Sequence, residues 1–292
     1  GLFGLTYSLS KSHEKERWPE VFALALSGVQ MLSVPLSGSK LFPWSSTPSV
    51  SPFSRSLDFI TTDRLDETQG PVVYHVFLGI SLSWTAIFLA LALVVAVSFA
   101  KDLPQNPLVL RSLRKIARRS ASFLFLPFTA VLFRTLACPS TFSSWLDTGL
   151  ACDSSERIVL AVASSILLAA FAFLAFFVTA TFVDRNPSSE SWAAKGHGRV
   201  DIAMLAIKLL LMFFFNVVDE QLLGGAFVTI VVIASGVVWI GLFLRYMPFV
   251  HPHMNALEVG FGSTFLWCAI ALALSQLSGS EHTTNFSAFF LY

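Results

Sequence analysis

The feature that most constrains this chain is a run without a single charge, from Ile158 to Val183. An α-helix rises about 1.5 Å per residue, so roughly 20 apolar residues cross the ~30 Å hydrocarbon core of a bilayer. Other stretches of the chain follow the same pattern. Of its 292 residues, 54% are hydrophobic and only 13% are charged, where ordinary globular domains carry about 25%. A soluble protein of this size needs a polar surface, and the residues to build one are missing. The apolar residues also come in long blocks rather than spread evenly, which selects a membrane protein over a greasy globule.

Seven blocks predict an all-α, polytopic transmembrane helical bundle of about seven spans. They lie near residues 20–42, 72–100, 120–137, 158–183, 202–218, 223–244 and 256–277, so that 20–277 forms the multi-pass region. The first is diluted by Gln30, Pro35 and Ser-Gly pairs. The third contains Pro127, which is expected to kink it. A Ser/Pro-rich stretch with Pro43, Pro48 and Pro52 separates the first two spans. Gly224, Gly225, Gly236, Gly241, Gly260 and Gly262 are expected to let helices approach closely.

Orientation follows from where the 19 Lys and Arg residues fall. In a seven-span alternation, Lys11, Lys15, Arg17, Lys101, the cluster at 111–119, Arg185, Lys195, Arg199 and Arg245 share the side of the N-terminus. Lys40, Arg55, Arg64 and Arg157 fall on the other side. Residues 1–19 are therefore expected to be cytoplasmic, and 278–292 to form a non-cytoplasmic tail or the start of a further segment. Cys138 and Cys152 bracket an outer loop, where they form a disulfide or remain two free thiols. Asn285-Phe286-Ser287 has the N-glycosylation acceptor pattern, also on the outer side. Gly1 stands where a Met would start a chain, so a trimmed or partial protein is expected.

Ionisable groups cost about 3 kcal/mol at the bilayer centre, which makes them candidates for function. The intramembrane polar candidates are Gln30, Arg134, Lys208, Asn216 and Glu258. Lys208 admits two readings. It pairs with an acid such as Glu258 and lines a polar cavity, or it snorkels or meets a carbonyl. Arg134, near an outer end, is expected to snorkel. The cluster Arg111, Arg114, Lys115, Arg118 and Arg119, interleaved with Leu113 and Ile116, reads as a contact with anionic lipid headgroups or as topogenic charge. Asp219 and Glu220 read as a solvated turn, and Cys268 as a packing residue.

Other function classes find no support. His251-Pro252-His253 cannot place both imidazoles on one helical face, and no Cys or acid completes a metal site. There is no His-Glu-x-x-His run, Gly-x-Ser-x-Gly elbow or Walker loop, so no catalytic residue, metal or cofactor is assigned and the chain is expected not to be an enzyme. A net charge of +1 gives no field for nucleic acid, and the 29 Phe residues lie in apolar blocks where packing explains them. The bilayer is the expected partner; oligomeric state and the particular membrane have no signature here.

Several short stretches carry a likeness. They are Leu2-Phe3-Gly4-Leu5-Thr6-Tyr7-Ser8-Leu9-Ser10-Lys11-Ser12, Val29-Gln30-Met31-Leu32-Ser33, the Cys138 to Cys152 loop, and Met247-Pro248-Phe249 followed by Asn255. Together they resemble the transmembrane region of the tiny macrocysts protein B/C-like family. That family comprises large multi-pass proteins of protists, often with PAS-type sensor segments after the membrane region. The resemblance implies a membrane module of a larger sensory or signalling protein, with no catalytic residues to carry over. No PAS-like segment lies within these 292 residues. The alternative is an ion channel or transporter subunit with Lys208 and Glu258 in a polar cavity.

Overall fold

A computed structural model describes residues 17–36, 71–101, 107–136, 155–181, 194–217 and 220–278. Cys138, Cys152, Asp219, Asn285 and the Ser/Pro-rich stretch lie outside the described residues.

Eight helices run through the described residues: α1 (Arg17–Leu36), α2 (Pro71–Ala100), α3 (Pro107–Ala121), α4 (Phe125–Leu136), α5 (Ser155–Thr181), α6 (Arg199–Asn216), α7 (Glu220–Tyr246) and α8 (Pro252–Ser278). No strand forms among these residues. One isolated bridge pairs Lys195 with Phe249. The helices pack as a chain of neighbours: α1 on α8, α8 on α7, α7 on α6, α6 on α4, and α4 on α5, with α2 and α3 closing the far side.

Among the described residues, four helices are long and apolar enough to cross a membrane. Their qualifying stretches are His75–Ala100, Ile158–Ala180, Phe227–Tyr246 and Pro252–Leu274, and a fifth span arises if the bent pair α3–α4 is one. The exteriors of these four are greasy. Leu93, Val159, Ile166, Phe173, Ile230 and Leu274 are each more than half exposed. In water such a surface is an aggregation liability, whereas hydrocarbon accommodates it.

The expected seven spans are therefore corrected to four, or five, among the described residues; two blocks fail, and a third is broken, for separate reasons. The apolar part of α1 is only Val21–Pro35, too short for a ~30 Å core, and residues 37–42 of the expected span lie outside the described residues. The block at 120–137 is not one kinked helix. α3 ends at Ala121, α4 begins at Phe125, and the two meet at 66°. Pro127 sits in the first turn of α4, where its missing N–H leaves no bond broken, so the break falls before the proline instead of at it. α6 carries Arg199, Asp201 and Lys208 within its 18 residues, and is sheathed by α4, α5 and α7 instead of being wholly apolar. With these blocks removed, the alternation on which the seven-span orientation rested no longer holds.

Two aromatic clusters hold the bundle. Trp239, Phe243 and Phe265 join α7 to α8, with Trp239 and Phe265 rings 5.8 Å apart. Phe125 stacks on Phe171 at 5.8 Å, and Phe128 lies 5.9 Å from Phe171, joining α4 to α5. Hydroxyls in the helices bond their own backbones: Thr129 Oγ1 donates to Phe125 O at 2.7 Å, Thr135 Oγ1 to Val131 O at 2.9 Å, and Ser235 Oγ to Val231 O at 2.7 Å. Such i−4 bonds let Ser and Thr sit inside a bundle without an unmet donor.

Close approach occurs at Gly236 and Gly262, where a Cβ would lie 3.1 Å from α8 and α7 atoms respectively. It does not occur at Gly241 or Gly260, which face open space. The tightest contact is not among the expected glycines. A Cβ at Gly28 of α1 would stand 2.6 Å from the Phe261 ring of α8.

The turn between α7 and α8 is held by a clamp. Asn255 Oδ1 accepts from Phe249 N at 3.1 Å, and Asn255 Nδ2 donates to Phe249 O at 2.9 Å. Across the bridge, Gly196 N donates to Pro248 O and Val250 N to Ala194 O, both at 2.9 Å. The Met247-Pro248-Phe249 and Asn255 signature thus has a structural role, tying the approach to α6 onto the α7–α8 turn. Asn255→Ala removes two backbone bonds worth about 1 kcal/mol each. A loss of about 2 kcal/mol in detergent unfolding is expected, with Asn255→Asp recovering only the acceptor half.

Candidate functional site

Inside this frame four charged side chains converge. Asp201 and Lys208 lie two turns apart on α6, about 10 Å along its axis and on one face. Lys195 reaches Asp201 from the bridge segment, Nζ to Oδ1 at 2.5 Å, and its ammonium lies 4.0 Å from the centroid of the Phe249 ring. A cation over an aromatic face gains from the ring quadrupole. Lys208 is buried, at 6% exposure, and donates to Ser27 Oγ of α1 at 2.6 Å. Glu258 of α8 is within electrostatic reach of Lys195, Lys208 and Asp201 together. The buried indole N–H of Trp239 is directed toward Glu258 but makes no hydrogen bond of ordinary geometry with it.

The arrangement balances its charge. Two ammonium groups face two carboxylates, so the quartet is neutral as a unit even though each member is costly alone. Lys208 and Glu258, singled out from sequence, are brought together, but not as a direct ion pair: Ser27 takes the hydrogen bond of Lys208 and Glu258 acts at longer range. Snorkelling does not describe Lys208, whose ammonium points into the bundle. Gln30 sits one turn beyond Ser27 and is buried at 3%, with an unpartnered Oε1. Asn216 stands apart at the far end of α6, where Nδ2 donates to Met212 O at 2.8 Å. The side chains of Arg111, Arg114 and Arg134 are outside the described residues.

Sequence reasoning misses Lys195, Asp201, Ser27 and Trp239. Lys195 reads as a loop charge. Asp201 carries a usable signal, since an acid two turns before a lysine on one helix shares its face. Ser27 carries none, because its partner lies 181 residues away.

A cavity of about 440 Å³ is lined by Ala180 and by Gly196, His197, Gly198, Arg199 and Ile202, the sequence neighbours of Lys195 and Asp201, while Lys208 lies two turns further along α6. Such a site can hold a bundle in one register, and it can exchange a proton or bind an ion along its length. Among the described residues, no group of three or more His, Cys, Asp and Glu is placed to hold a metal.

Fold and site together define a class: among the described residues, an all-helical bundle with four or five helices long and apolar enough to cross a membrane, and a neutral, partly buried charged quartet among its last helices. Among the proteins similar to it are two from Dictyostelium discoideum. Tiny macrocysts protein C is 22% identical across 97% of this chain, and Tiny macrocysts protein B is 22% identical across 91%. The likeness read from short motifs is thus weak homology over nearly the whole chain. The chain spans about a fifth of the length of these relatives, 20% and 19% respectively. No protein-family model matches it, and no solved structure does.

Proposed function

We propose that this chain is the non-enzymatic, multi-pass membrane module of a larger sensory or signalling protein. The observation that carries the reading is the extent of the homology: the chain aligns almost end to end, yet covers only a fifth of each relative. A bundle sharing ancestry with one portion of much larger proteins fits a module better than a free-standing machine. The quartet supports the reading physically. It links α6 to α1 through the Lys208–Ser27 hydrogen bond and to α8 through the charge of Glu258, so its balance depends on helix register.

On this reading the end bearing Lys195, Arg199 and Arg245 faces the cytoplasm. The bridge between Lys195 and Phe249 places these residues at one end of the bundle, and basic residues near span ends favour the cytoplasmic side. An antibody raised against a peptide of residues 182–193 should detect, in the source cells, a polypeptide several times longer than 292 residues. A single product no longer than these residues would remove the reading.

One observation favours a second reading, ion transport: Lys208 is buried inside the bundle with Glu258 of another helix within electrostatic reach. If it holds, ion or proton flux into liposomes changes with Lys208→Ala. Flux that is absent, or equal in both proteins, dismisses it.

A further inference from the structure

The basic helix α3 takes no part in the quartet, yet it is the most sharply two-faced helix among those described. Leu113, Ala117 and Ser120 form its buried side. Leu113 and Ala117 share a cluster with Phe88 and Val95 of α2 and with Phe171, Ala175 and Val178 of α5. Trp84 Nε1 of α2 donates to Ser120 Oγ at 2.8 Å and pins the end of the helix. The opposite side carries Lys115, Arg118 and Arg119, all exposed, together with Leu108, which is 67% exposed. α3 follows Lys101 at the end of the span α2, and it turns 66° away from α4.

We propose that α3 is a binding surface for anionic phospholipid headgroups. Two features select this occupant. The exposed side is cationic and has an apolar residue at its start, which suits the headgroup–acyl boundary and does not suit bulk water. The apolar side is covered by α2 and α5, so the charge is presented outward from the bundle. Guanidinium and ammonium groups donate to phosphate and carboxylate oxygens, and the negative potential of an anionic leaflet draws them further.

Each exposed base near an anionic surface contributes about fivefold in affinity, so neutralising three lowers it on the order of 100-fold. The purified chain in dodecyl maltoside is titrated with phosphatidylserine, and separately with phosphatidylcholine, while thermal unfolding is followed at low salt. Phosphatidylserine is expected to raise Tm, and phosphatidylcholine to raise it much less. The triple variant Lys115→Gln/Arg118→Gln/Arg119→Gln should lose most of that difference, and 0.5 M salt, roughly, should do the same to the wild type. The pair Arg118→Lys/Arg119→Lys keeps the charge and should keep the response, which separates lost charge from a damaged fold. Equal shifts with both lipids overturn the proposal. So does a triple variant that folds and responds like wild type, or a full response to glycerophosphoserine, which carries the headgroup without the lipid.

Discussion

Replacing Lys208 with methionine is expected to destabilise the detergent-solubilised protein by about 3–5 kcal/mol, the usual result of leaving buried charge without its counterpart. The side chains are similar in length, so little packing changes. What changes is the balance: Asp201 and Glu258 would then face Lys195 alone, and Ser27 Oγ would lose its donor. The decisive comparison is the double variant Lys208→Met/Glu258→Gln, which restores neutrality with near-isosteric groups. It should recover most of the loss. A double-mutant cycle then yields a coupling of about 1 kcal/mol or more between residues that make no direct hydrogen bond. Additive losses would mean that Lys208 matters only through Ser27. In that case Ser27→Ala should reproduce the whole effect.

Gly28→Leu is the second large effect. A Cβ at this position would stand 2.6–2.8 Å from three ring atoms of Phe261, closer than non-bonded carbons approach. The nearest of these include Cγ, near the root of the side chain, so the ring cannot escape by rotating its tip alone. The backbone of α1 must move away from α8, and with it Ser27, the partner of Lys208. Overpacking of this kind costs about 1–3 kcal/mol, and the leucine should sit at the upper end. Gly28→Ala should cost less, since alanine favours the helix by about 1 kcal/mol over glycine and offsets part of the clash. Phe261→Ala in the Gly28→Leu background should restore packing. If Gly28→Leu unfolds at the wild-type temperature, α1 does not dock on α8 as described.

The parts of the fold legible in sequence are those decided by local composition. α2, α5, α7 and α8 each satisfy length and apolarity by themselves, and no tertiary partner is needed to recognise them. α6 misleads because an enclosed helix tolerates Arg199, Asp201 and Lys208 once its neighbours supply partners. Its hydrophobic residues alone make it resemble a lipid-facing span. The α3–α4 junction is hidden because Phe123, Leu124 and Phe125 keep the block apolar across a break, and apolarity does not report backbone direction. The glycines show the same limit. Gly241 and Gly28 look alike in sequence, yet only Gly28 meets a facing ring. Half of the quartet is visible, since Lys208 and Glu258 stand out as charges within apolar blocks. Its other members are set by the bridge between Lys195 and Phe249 and by the docking of α1, both long-range features.

If the exposed sides of the four long helices meet lipid, probes placed on them must sit in hydrocarbon. Spin labels on Leu93→Cys, Ile166→Cys, Ile230→Cys and Leu274→Cys, one on each helix and made in a background lacking the native cysteines, test this in reconstituted vesicles. Power-saturation measurements should show all four labels colliding more with oxygen, which concentrates in hydrocarbon, than with a water-soluble nickel chelate. Labels that collide chiefly with the nickel chelate, on any two of these helices, would place those surfaces in water and contradict the account.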